Sequence, residues 1–113
     1  MAGALILSQF RSDIISIIAK CPALKCLDIA RNAAAMDDSV LFAIALQQDS
    51  QLEHLNLCYL DSITDAGITA LVKSKCGGRL RVLGIDGCKQ LSDDSLIAIR
   101  ENCKSLAFGN DRI

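Results

Sequence analysis

The chain's 113 residues make one domain's worth of polypeptide, enough to bury roughly 65% of its unfolded surface. Hydrophobic residues make up 51% of it, but only 4% is aromatic and Trp is absent, so its core must be built from aliphatic side chains and cysteine. Twelve basic residues against 13 acidic leave a net charge of −1 with no like-charge run, which argues against a nucleic-acid footprint or a polybasic membrane anchor.

In chain order, residues 1–21 read as the helical half of an incomplete repeat, with Ile14, Ile17 and Cys21 at helical spacing. Arg11 stands where later units carry an Asp. The apolar opening Met1 to Leu7 lacks the basic segment and cleavage site of a secretory leader, and no stretch reaches the roughly 20 apolar residues of a membrane span. After Cys21-Pro22 comes Leu24-Lys25-Cys26-Leu27-Asp28-Ile29, matched by Leu52-Glu53-His54-Leu55-Asn56-Leu57 and Leu80-Arg81-Val82-Leu83-Gly84-Ile85. These begin at positions 24, 52 and 80, a constant step of 28. Leucines alternating with polar residues mark each as a strand with one buried face.

A second landmark keeps the same step: Asp37-Asp38-Ser39-Val40, Asp65-Ala66-Gly67-Ile68 and Asp93-Asp94-Ser95-Leu96. Thr64-Asp65 and Ser92-Asp93 are placed to cap helices. The inner faces of those helices are marked by Val40, Ala43 and Ile44, by Ile68 and Leu71, and by Leu96, Ile99 and Cys103. Gly77-Gly78 reads as a helix stop. The units thus run 22–49, 50–77 and 78–105 within a single domain, 1–113. Residues 106–113 begin a fourth strand whose pattern fails at Gly109 and Asp111. Two landmarks with one period in the twenties predict an α/β fold, a right-handed leucine-rich-repeat solenoid of about three strand-turn-helix repeats with a parallel sheet on its concave face. Its ends carry no polar cap, so the expectation is a fragment of a longer array, or a module that self-associates or docks through them.

Six cysteines in a short chain raise a disulfide framework. Cys21, Cys76 and Cys103 fall instead at helix ends, and Cys88 falls where the backbone leaves the third strand. They read as core thiols in a reducing compartment, cytoplasm or nucleus.

The third unit, Leu80-x-x-Leu83-x-Ile85-x-x-Cys88-x-x-Leu91-Ser92-Asp93 with Leu96, Ile99 and Cys103, resembles the cysteine-containing leucine-rich repeat of F-box/LRR proteins. The first unit has Asn32 in place of Cys88, which together with the 28-residue step is more similar to the ribonuclease-inhibitor and Ran GTPase-activating subclass. The second has Leu60 there. The resemblance covers roughly residues 10–108, and Cys21-Pro22, Cys76, Cys88 and Cys103 favour the first subclass. It implies a protein-protein interaction module for substrate or adaptor recognition, with ubiquitin-ligase components or their substrates as partners. No F-box precedes the repeats, so ligase attachment is not expected of this chain as it stands. The alternatives are a structural subunit docking through its ends, and a GTPase regulator with Arg31 as its only candidate arginine.

On such a sheet the residues between buried leucines form columns: Cys26, His54 and Val82; Asp28, Asn56 and Gly84; Ala30, Cys58 and Asp86; Arg31, Tyr59 and Gly87. With adjacent strands ~4.8 Å apart, each column is a continuous stripe for a protein partner. Tyr59, Arg31 and His54 are the expected hot spots. Cys26, His54 and Cys58 also raise a zinc site or a Cys-His nucleophile. There is no C-x-x-C pair, though, and the single His has no orienting carboxylate, so neither metal, cofactor nor catalysis is expected. In this register Leu55→Ala is expected to be costly and Asn56→Ala mild.

Overall fold

A computed structural model describes residues 3–6, 11–31 and 36–106. The elements are β1 (Gly3–Ile6), α1 (Arg11–Lys20), β2 (Leu24–Asp28), α2 (Asp38–Ala45), β3 (His54–Asn56), α3 (Asp65–Lys73), α4 (Lys75–Arg79), β4 (Val82–Gly84) and α5 (Asp93–Asn102). The four strands form one parallel sheet in the order β1-β2-β3-β4. Parallel neighbours require a crossover, and helices supply it at every step, giving a mixed α/β fold.

The register follows the sequence period. Cys26, Leu27 and Asp28 lie beside His54, Leu55 and Asn56, which lie beside Val82, Leu83 and Gly84. The ladder continues past the strand ends: Ile29 N donates to Asn56 O (3.1 Å) and Leu57 N to Gly84 O (2.8 Å). Arg31 N donates to Cys58 O (2.9 Å) and Tyr59 N to Asp86 O (2.8 Å). Leu27, Leu55 and Leu83 turn inward to a single core shared with Ile14, Val40, Leu41, Ile44, Ile68, Leu71 and Ile99.

Four local expectations need correction. Residues 1–21 hold a strand as well as a helix, since β1 pairs with β2 and sets Leu5 beside Leu27. Gly77-Gly78 does not stop a helix. The chain breaks at Ser74, extended and bonded back to Leu71 O, and α4 then runs through both glycines to Arg79. Gly77 is fixed by close approach, because a Cβ there would lie 1.9 Å from the carbonyl oxygen of Val72. The inward faces also shift: Leu41 and Ile18 are buried where Ala43 and Ile17 are half-buried. Leu96 is half-buried because its flank of α5 has no further described helix against it. Leu106 packs partly against the core, whereas Asn32 and residues 107–113 lie outside the described residues.

The acidic landmark also works differently. Asp37 caps α2 by accepting from Ser39 N (2.9 Å), but the helices begin at Asp38, Asp65 and Asp93, steps of 27 and 28. Asp38 reaches into the next unit, accepting from Thr64 N (2.8 Å) and Thr64 Oγ1 (2.5 Å). Asp65 repeats this with Ser92 N (2.9 Å) and Ser92 Oγ (2.5 Å), and also accepts from Ser95 Oγ. These carboxylates therefore tie one unit to the next. Thr64 makes no side-chain cap of its own, while Ser92 also accepts from Asp94 N. Gly67 makes room for the bridge, since a Cβ there would lie 2.2 Å from Asp38 Oδ1.

All six cysteines are free thiols, and Cys76, Cys88 and Cys103 are buried. The Cys88 thiol donates to Leu57 O (3.0 Å), joining the turn after β4 to the strand before it. Burial pushes Cys76 and Cys103 up to about 11, with Cys103 adding to the effect on Cys76.

Leu55→Ala is expected to destabilise the fold by about 2–5 kcal/mol in denaturant unfolding. A double-mutant cycle with Asp65→Ala and Ser92→Ala should return a coupling of about 1 kcal/mol. Hydrogen bonds from Ser92, then Ser95, hold the Asp65 carboxyl below its ordinary 3.8, so the coupling is present above that pH and lost as pH falls beneath it. The buried thiols act at the opposite extreme. They stay neutral where an unfolded thiol ionises, so their contribution is complete below pH 9.0 and declines as pH rises toward about 11. Replacing both Cys76 and Cys103 by Ala should flatten that alkaline loss relative to wild type.

Candidate functional site

The face of β2, β3 and β4 opposite the leucines carries the first two expected columns, and the other two, from Ala30 and Arg31 onward, lie at the strand exits. In the first row Cys26 and Val82 are half-buried beside an exposed His54. In the second, Asp28 and Asn56 are half-buried and turn their oxygens onto their own backbone. Asp28 Oδ1 accepts from Ala30 N (3.0 Å) and Asn56 Oδ1 from Cys58 N (3.1 Å). These are Asx turns that steer the chain out of the strand, so both residues have structural work before any partner arrives. The mild effect expected of Asn56→Ala accordingly amounts to about 0.5–1.5 kcal/mol, the worth of one net hydrogen bond.

Gly84 has no such side chain. Asn56 and Cys58 lean into the space, and a Cβ on Gly84 would lie 2.9 Å from Asn56 Oδ1 and 3.0 Å from Cys58 Sγ. Cys58 is half-buried and its pKa is raised, first by burial and then by the nearby Asp86 and Asp28. Its thiol therefore remains protonated at neutral pH, the opposite of an activated nucleophile. Cys26 and His54 are neighbours in register, but no group of three or more His, Cys, Asp or Glu is positioned to hold a metal ion among the described residues.

The most distinctive geometry lies at the strand exits. Arg31, Tyr59 and Gly87, spaced by 28, have positive φ of 69°, 64° and 74°. For a residue with a Cβ this left-handed conformation costs roughly 1–2 kcal/mol, and two of the three positions carry large side chains. The ladder bonds from Arg31 N and Tyr59 N described above hold them there. The side chains stack in consequence. The Arg31 guanidinium lies 4.5 Å from the centroid of the Tyr59 ring, a cation-π contact. The ring in turn lies on Gly87, where a Cβ would come within 2.4 Å of Tyr59 Cδ1. Cation, ring and glycine thus form one exposed column, with Tyr59 46% accessible and Asp86 exposed beside it.

The sequence period assigns these three residues to one column but does not reveal their backbone. Gly87 is the single signal, since a glycine at one repeat position asks whether its equivalents share its φ. No protein-family model matches the chain.

Gly87→Ala is expected to destabilise the protein by at least about 1–2 kcal/mol, the cost of the left-handed conformation. Calorimetry should find that loss reduced, though not abolished, in a Tyr59→Ala background, where the ring no longer obstructs the new methyl group.

Proposed function

We propose that the chain is a protein-protein interaction module whose recognition surface is the exposed sheet face centred on Tyr59, Arg31 and His54, built as a leucine-rich-repeat solenoid of the F-box/LRR type. The Arg31-Tyr59-Gly87 column carries this reading. Two bulky residues are held in a costly backbone conformation with their side chains outward, and such strain concentrates where a surface is used. Tyr and Arg are also the side chains most often found as binding hot spots. The constant register supports the repeat reading, because it stacks equivalent residues of successive units into stripes.

In this reading a partner protein, a ligase component or its substrate, lies across the columns. Tyr59 and Arg31 form its apolar and cationic centre, and Cys26, Asp28, Asn56, Cys58, Val82 and Asp86 surround them. A GTPase-regulating role for Arg31 has less support, because its guanidinium is already engaged by the Tyr59 ring.

A second reading, a structural subunit docking through its last unit, rests on α5. On the same helix Ile97 is 50% exposed.

Affinity purification of the tagged chain, with the recovered proteins identified by mass spectrometry, tests both. Under the first reading Tyr59→Ala with His54→Glu lowers recovery of the specific partner at least about tenfold, a loss typical of a hot spot, and Ile97→Glu has no effect. Retention by the double variant together with loss on Ile97→Glu transfers the function to the α5 flank. Cullin-adaptor components among the wild-type proteins would specify the ligase role.

A further inference from the structure

Away from the sheet face, Lys75, Gly78, Arg79, Arg81 and Ser105 line an open-sided groove of about 580 Å³, within the ~300–1,000 Å³ range of ligand sites. Three of these five residues are cations, all exposed, and none has an ion-pair partner among the described residues. Lys75 and Arg79 are one turn apart on α4, an arrangement that destabilises a helix through like-charge repulsion. Arg81 follows two residues later, after the extended Leu80. The acidic Glu53 is the strand neighbour of Arg81, whose N donates to Glu53 O (2.7 Å), but no ion pair joins the two side chains.

Gly78 gives a second, independent indication. Glycine weakens a helix, and its neighbour Gly77 is required by contact with Val72, but a Cβ on Gly78 would meet nothing within 4 Å. Packing does not require a glycine at this exposed position. What it provides is an open stretch of backbone beside three cations. The Gly78 carbonyl is held by Ser105 Oγ (3.0 Å), which ties the exit of α5 to the same groove.

We propose that this groove binds a phosphoryl group presented by a peptide segment of a partner protein. Two planar guanidinium forks can each take a pair of oxygens of a tetrahedral phosphoryl group, and the Lys75 ammonium adds a third positive charge. The anion removes the mutual repulsion of the cations, and the open side of the groove admits the peptide carrying it. The site is separate from the Tyr59 column, so it stands or falls independently of that surface.

The test is an amide NMR titration of the full chain at fixed ionic strength with inorganic phosphate, with a phosphoserine peptide and with the same peptide unphosphorylated. Saturable shifts are expected at Gly78, Arg79, Arg81 and Ser105, with the phosphopeptide at least about tenfold tighter than either other probe. Arg79→Gln with Arg81→Gln should abolish binding, and so should the milder Lys75→Gln with Arg81→Gln. Lys20→Gln, which removes a charge from α1, and Tyr59→Ala with His54→Glu should leave it unchanged. Equal binding of the two peptides, shifts spread over cations throughout the surface, or an equal loss in Lys20→Gln would overturn the proposal. Inorganic phosphate binding as tightly as the phosphopeptide would also overturn it, in favour of a free-anion site.

Discussion

The strands of the sheet are short, and β2 and β3 each hand their hydrogen bonds to a strand 28 residues further on; this in-register parallel pairing is the constraint on which everything else depends. A slip of one residue would turn Leu27, Leu55 and Leu83 out of the core and bring Cys26, His54 and Val82 into it. The burial of those leucines, each at most 2% accessible, therefore fixes the register, and the register in turn decides which side chains share a column. The strain at Arg31 and Tyr59 follows from the same source. The ladder bonds beyond the strands hold both residues in a left-handed turn, and only then can cation, ring and glycine stack.

The helical side has its own means of keeping step. Asp38 and Asp65 each accept a backbone N–H and a hydroxyl from the start of the following unit. A carboxylate hydrogen-bonded to two donors is a charge-assisted contact with defined geometry, so it sets the advance of one helix against the next as the ladder does for the strands. Gly67 permits the first of these bridges and the buried Ser95 hydroxyl completes the second. Connections at both layers resist relative rotation of the units more than either would alone, which keeps the exposed face a regular surface.

Strands, columns and the existence of the helices were legible in the sequence because each leaves a periodic mark: alternating leucines, a fixed step, Asp beside Ser or Thr. The failures occurred where the deciding partner is distant or belongs to the backbone. Gly77-Gly78 looked like a stop, yet the break falls at Ser74, and Gly77 serves contact with Val72. Asp37 and Ser92 do cap their helices, but Asp38 and Asp65 serve the neighbouring unit, and no local pattern distinguishes the two roles. The left-handed conformation of Arg31 and Tyr59 was hidden because neither residue advertises it, and Gly87 alone carried the hint. Four of the five residues of the cationic groove lie within residues 75–81, where Gly77-Gly78-Arg79 reads as a helix stop rather than a phosphate loop, and only the fold brings Ser105 beside Gly78.

The most direct measurement is the pattern of cross-strand backbone NOEs and slowly exchanging amides in solution. The register described here predicts contacts between Cys26 and His54 and between His54 and Val82, with protected amides at Ile29, Arg31, Leu57 and Tyr59. Contacts displaced by one residue, or an antiparallel pattern, would contradict it and dissolve the columns on which the proposed recognition surface rests.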